Sequence, residues 1–194
     1  MSKAERTKEL IIEKTSVLFN KKGYAGTSLN DLTDATGLTK GSIYGNFKNK
    51  DDVAIEVFRF NLKKMAMLFE GEQAKCSLYR DKLFVYSNLD IYFKDGLVPE
   101  GGCPILNTAI ESDDTHPELK KQAYSALIKW KNKIIGIIEA GKKQNEFKPE
   151  LDAETTAITI LALLEGGIMI RKLSDNQDYI QMAMKSLRNY IGQL

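Results

Sequence analysis

Residues 38–50, LTKGSIYGNFKNK, hold the side chains whose types and spacing most plainly suggest chemistry. Lysines stand at 40, 48 and 50 and a tyrosine at 44. Short polar side chains occupy 39, 42 and 46, and Gly41 and Gly45 leave notches between them. Ammonium and phenol groups suit phosphate oxygens, while hydroxyl and amide side chains suit the hydrogen-bonding edges of bases. In a helix over 40–46, the missing Cβ of Gly41 near the start lets backbone N–H groups meet a phosphate. Tyr44, one turn on, would donate to a phosphate, and Lys50 would contact the flanking backbone. Thr39, Lys40, Ser42 and Asn46 would reach base edges, with Ile43 and Phe47 turned inward as anchors. The competing reading is a glycine-containing turn followed by a solvated lysine face.

Charge is distributed in keeping with an anionic partner for the N-terminal segment alone. Residues 1–50 carry nine Lys/Arg and five Asp/Glu, against a net charge of +2 for the 194-residue chain. Bond-making chemistry finds little support. There is a single histidine, and neither GxGxxG nor GxxxxGK[ST] occurs, so no catalytic residue, metal site or cofactor is expected. Glu111, Asp113 and Asp114 form an acidic group that reads as a solvated helix end. Cys103 precedes Pro104 at an expected helix start, where the helix dipole would favour thiolate and an oxidant- or electrophile-sensing role. The alternative is a small buried cysteine at a tight turn. His116, before Pro117, reads as a helix-entry residue.

The elements that position these residues are helices throughout. Leu10, Ile11, Thr15, Val17, Leu18 and Phe19 give helical spacing over 4–21, ended by Gly23. Ser28 with Asp31 forms a capping-box pattern that starts a short helix over 28–35. Gly37 turns the chain into the third helix, and a fourth begins near Lys50 with Ala54, Phe58, Leu62, Met65 and Phe69 on one face. One amphipathic helix is expected over 78–94, another from Pro104, and a long one from Pro117. Asp152 would cap a helix over 153–172, and a last helix covers 176–192. About nine helices result, an all-α chain. AITILALLEGGIMI is interrupted by Glu165 and two glycines, so no membrane span is expected. With the polar start MSKAERTKEL, the expectation is a soluble, cytoplasmic protein with reduced thiols.

Two short helices joined at Gly37 describe a helix-turn-helix, whose second helix enters the major groove. Here the chain resembles the TetR family of transcriptional regulators. Residues 19–53 follow its pattern, with Gly23, Tyr24, Thr27, Ala35, Gly37, Gly41, Tyr44, Phe47 and Lys50 in place. Thr33 and Asn46 depart from the residues most frequent there. The resemblance implies a DNA-binding head over 1–50 and an effector-binding, dimerising body over 51–194. The expected DNA-facing residues are Thr27, Ser28, Thr39, Lys40, Gly41, Ser42, Tyr44, Asn46 and Lys50.

Residues 153–172 carry more apolar surface than one contact can use. With 176–192 they would build a twofold four-helix interface between two copies, through Ala157, Leu161, Leu164, Gly166, Gly167, Ile168, Ile180, Ala183 and Leu187. The alternative is that both are core helices. The resemblance further implies a pocket in the body, with Phe60, Phe84, Tyr86, Tyr92, Phe93, Cys103, Tyr124 and Trp130 as candidate lining. The implied function is a ligand-responsive regulator, released as a repressor from a palindromic double-stranded DNA operator by a small-molecule effector. A helical adaptor with a degenerate DNA head, or an enzyme, are the competing classes.

Overall fold

A computed structural model describes residues 2–112, 114–174 and 176–194. Its described elements are ten α-helices and one 3-10 turn. They are α1 (Lys3–Lys22), α2 (Leu29–Thr36), α3 (Lys40–Tyr44), α4 (Lys50–Gln73), α5 (Tyr79–Phe84), α6 (Leu89–Lys94), α7 (Pro104–Ser112), α8 (Pro117–Lys143), α9 (Ala153–Ser174) and α10 (Gln177–Gly192). The 3-10 turn, Val85–Asn88, lies between α5 and α6.

Local signals set most of the boundaries. Ser2 with Glu5 and Ser28 with Asp31 form full capping boxes on α1 and α2. The Asp152 carboxylate accepts from the Glu154 and Thr155 amides and so caps α9. His116 caps α8, with Nδ1 accepting from the Leu119 amide at 3.2 Å.

The single helix expected over 78–94 is broken. Val85, Tyr86 and Ser87 are all buried, and three consecutive side chains cannot share one face of an α-helix. The tighter 3-10 turn brings them inward together, with the Ser87 hydroxyl donating to the Phe84 carbonyl at 2.7 Å.

The chain divides into two compact units, Met1–Met65 with Pro99–Tyr124, and Ala66–Val98 with Ser125–Leu194. The first is built on a core of Ile11, Phe19, Leu32, Ile43, Phe47, Val53, Ala54 and Val57. Burying each of the Ile, Leu, Val and Phe side chains among them is worth about 1.5–3 kcal/mol over leaving it exposed. That decides the existence of α3, since five residues cannot sustain a helix in water.

In the second unit α9 packs along α10, which also meets α5, the 3-10 turn and α6. By length and composition α9 would suffice to cross a membrane, despite Glu165 and the glycines that argued otherwise. Its buried stripe of Ala157, Ile160, Leu161, Leu164 and Ile168 makes it a core helix in this fold.

Candidate nucleic-acid interface

The turn between α2 and α3 is three residues long. Gly37 closes α2 in the left-handed region at φ +69°, and its N–H donates to the Thr33 carbonyl. Thr39 opens α3, its hydroxyl accepting from the Ser42 amide at 3.2 Å. Ile43 and Phe47 are buried as anchors, while Thr39, Lys40, Gly41 and Tyr44 face solvent and Ser42 is half-buried. A Cβ at Gly41 would meet nothing within 4 Å, so the chain's own packing does not demand glycine there.

Other expected DNA residues have partners within the protein. Thr27 is wholly buried and its hydroxyl donates to the Gly23 carbonyl at 2.6 Å. Its side chain therefore holds the α1–α2 turn and is unavailable to DNA. The Ser28 hydroxyl accepts from the Asp31 amide and donates to the Asp31 carboxylate. Asn46 donates to the Ser42 carbonyl at 2.8 Å, closing α3, which ends at Tyr44 rather than at 46. Lys50 lies over the Tyr24 ring, 4.3 Å from its centroid. Sequence reasoning missed Lys8, which sits over the Phe47 ring at 5.2 Å beside the end of the helix-turn-helix. No local pattern marks that long-range placement.

A polar network braces the pair. The Lys22 ammonium, then the Ser28 hydroxyl and amide, hold the Asp31 carboxyl well below the usual carboxylate range. Tyr24 donates to the Asp51 carboxylate and packs edge-on against His116, with ring centroids 4.7 Å apart. His116 Nε2 lies 3.7 Å from Asp51. The hydrogen bond to Asp51, then burial, push the Tyr24 phenol up to about 12. Glu111, expected to be solvated, is half-buried and accepts from the Tyr24 and Ala25 amides at 2.6 and 2.7 Å. Asp114 is exposed, and Asp113 lies outside the described residues.

The expected dimer face divides in two. Ala157, Leu161, Leu164, Gly167, Ile168, Ile180 and Leu187 are buried within one chain, and a Cβ on Gly167 would approach Ala183 to 3.0 Å. Gly167 against Ala183 marks where α9 packs on α10. Gly166 is open, and the apolar side chains left at the surface are Ile158, Met169, Ile170, Leu173, Tyr179 and Met182. The periodicity was legible, but the choice of face needed the partner helix.

The pocket candidates also separate. Phe60, Cys103 and Tyr124 belong to the first unit, where Cys103 is fully buried and Tyr124 is 65% exposed. Burial leaves the Cys103 thiol out of reach of reagents in this conformation, against the sensor expectation, and exposure leaves Tyr124 a poor lining residue. In the second unit Tyr86, Tyr92 and Trp130 gather around Phe69, which stacks on Trp130 at 5.7 Å and meets Tyr86 at 4.9 Å. The Tyr86 and Tyr92 hydroxyls are buried, with the Gln73 and Trp130 side chains near the first and Asn88 near the second, and burial raises both phenols above their ordinary value. Phe84 and Phe93 are covered by the guanidinium groups of Arg188 and Arg171.

A glycine-linked helix pair with a cationic, solvent-facing second helix, carried on an all-helical body, defines a helix-turn-helix DNA-binding regulator. The sequence profile of bacterial regulatory proteins of the tetR family matches residues 11–57, and that of the tetracyclin repressor-like C-terminal domain matches 89–187. A TetR-family transcriptional regulator from Cytophaga hutchinsonii has the same fold, with TM-score 0.96 and 44% identity over all of this chain and 97% of that one. A TetR regulator from Chloroflexus aurantiacus matches with TM-score 0.92 and 34% identity, over all of this chain and 98% of its own. The HTH-type transcriptional regulator TtgR of Pseudomonas putida is 27% identical over 171 residues, 85% of this chain and 80% of TtgR. The chain belongs to the TetR family, whose members are ligand-responsive transcriptional regulators that typically repress.

Proposed function

We propose that the protein is a homodimeric repressor that reads a palindromic operator in the cytoplasm. Residues 1–50 would make the DNA contacts, and 51–194 would provide dimerisation and effector binding. The observation that carries this reading is the exposed row Thr39, Lys40, Gly41 and Tyr44, with the half-buried Ser42, mounted on the buried Ile43 and Phe47. Lys40 and Ser42 are assigned to base edges; Tyr44, Gly41 and Lys50 to phosphates, with Lys8 beside them. Lys50 would leave the Tyr24 ring to do so. Ser28 and Asn46 would serve chiefly as caps.

The apolar surface of α9 and α10 around Gly166, Met169, Ile170, Leu173 and Met182 is the face assigned to the second copy. Twofold pairing there would present two recognition helices about 34–36 Å apart, one turn of DNA. The effector is assigned to the aromatic cluster of Phe69, Tyr86, Tyr92 and Trp130. Stacking surfaces with two buried hydroxyls suit an uncharged aromatic molecule bearing a hydrogen-bonding oxygen. Binding that favours a head geometry unfit for both half-sites would weaken operator affinity by the same free energy.

The test is selection of duplexes from a random library, followed by fluorescence anisotropy with the enriched sequence at several salt concentrations. A regulator enriches an inverted repeat and shows a steep salt slope; enrichment of no sequence would reject the reading.

A further inference from the structure

We infer that Glu111 is a positioning residue for operator recognition, the second of two pins by which α7 sets the angle of the helix-turn-helix. The inference rests on the operator-binding reading above. The first pin is Asn107, whose amide donates to the Asn20 carbonyl at 3.0 Å and to the Gly101 carbonyl at 2.9 Å. Asn20 in turn donates to the Glu100 and Gly102 carbonyls at 2.6 and 3.0 Å. Gly101 approaches so closely that a Cβ there would lie 2.6 Å from the Asn20 carbonyl oxygen.

Four residues on, one helical turn along the same face of α7, the two Glu111 oxygens accept from the Tyr24 and Ala25 amides. Asn20 and Tyr24 are themselves four residues apart at the end of α1. Two contacts one turn apart on α7 thus engage residues on either side of the α1 C-terminus.

One attachment leaves a hinge, whereas two fix an orientation. The Asn107 clasp alone would leave the head formed by α1, α2 and α3, which moves as one body around its shared core, free to pivot against α7 about the end of α1. The Glu111 carboxylate, held by two backbone donors in a charge-assisted pair, removes that freedom. The junction is built around it: Gly23 sits at φ +73°, ψ −178°, and a Cβ at Gly23 would overlap the carboxylate. In a dimer reading two half-sites at once, the angle of each head determines which half-site spacing fits.

The experiment uses full-length wild type and Glu111→Gln, which keeps the side chain's shape but opposes an NH2 group to one of the two donors. Amide hydrogen exchange is followed at Tyr24 and Ala25. Affinity is measured for the duplex selected by wild type and for versions with one or two base pairs added to or removed from its centre. The expectation is faster exchange at both amides and about ten-fold weaker binding to the selected spacing. Affinity for the altered spacings should hold, so that spacing preference flattens, with a melting temperature within about 4 °C of wild type. Should Glu111→Gln melt early, Glu111→Asp, which keeps the charge but withdraws it by one methylene, reads the same quantities.

A variant that keeps the wild-type spacing preference, or loses affinity equally at every spacing, overturns the assignment while leaving the regulator reading intact. A wild type that enriches no duplex overturns the regulator reading and, with it, the role given to Glu111.

Discussion

The Tyr24 hydroxyl donates to the Asp51 carboxylate, tying the residue after the α1 stop to the first turn of α4. Between them they bracket the helix-turn-helix, whose two short helices lie wholly within the interval. The hydrogen bond to Asp51, with burial behind it, raises the folded-state phenol from 10.0 to about 12. A group whose folded pKa is raised stabilises below its unfolded pKa and loses that contribution as pH climbs through the folded one. The melting temperature should therefore fall more steeply between pH 10 and 12 in wild type than in Tyr24→Phe, by circular dichroism. Equal slopes would remove this bond from the head's stability.

Acid should act through Asp31. Its folded carboxyl is held below the ordinary 3.8 by Lys22 and then Ser28, so its contribution is present above that value and lost as pH falls beneath it. Asp31→Asn should start less stable at neutral pH and lose less on acidification below pH 4. Urea midpoints across that range measure the difference.

Two glycines separate backbone strain from crowding. Gly37 is at φ +69° in open space, so Gly37→Asn should cost well under 1 kcal/mol, because asparagine tolerates the left-handed region. Gly23 has an extended ψ with positive φ, a region essentially reserved for glycine, and its Cβ position is filled by Glu111. Gly23→Ala should cost of order 1–3 kcal/mol, with further loss from displacing the carboxylate. Chemical denaturation of the two variants tests the ranking.

Side chains on the proposed recognition helix should divide by role. Tyr44→Phe should weaken binding to all duplexes alike, whereas Ser42→Ala or Lys40→Ala should change which bases are preferred. Repeating the selection with each variant reads this directly. An unchanged consensus from both Ser42→Ala and Lys40→Ala would move the base contacts elsewhere.

The α9–α10 face offers a matched pair of substitutions. Leu173 is 80% exposed and Met182 is 61% exposed, so Leu173→Glu with Met182→Glu should give a folded monomer by sedimentation. Leu164 and Leu187 are fully buried, and Leu164→Ala or Leu187→Ala should cost about 2–5 kcal/mol of stability. Dimers that persist in the double glutamate variant would place the interface on another surface.

What the sequence determined by itself is what local chemistry specifies. The Ser28–Asp31 capping box, the Gly37 turn, the Pro104 and Pro117 starts and the 3.6-residue apolar spacing marked the helices. The glycine, tyrosine and lysine pattern marked the reading head. These signals act within a few residues, so they survive as text. Tertiary structure decided whatever depends on which surface meets which. It buried Leu161, Leu164 and Ile168 and left Leu173 and Met182 outside, and it wound 85–87 into a tighter turn to bury three neighbours together. Lys8 was brought to Phe47, Thr27 was shut inside, and a seemingly solvated Glu111 was set on the backbone of a turn eighty-seven residues away in sequence. Periodicity says that a helix has an apolar side, but the partner that covers it, and the buried polar atoms that must then be matched, are fixed only when distant segments pack.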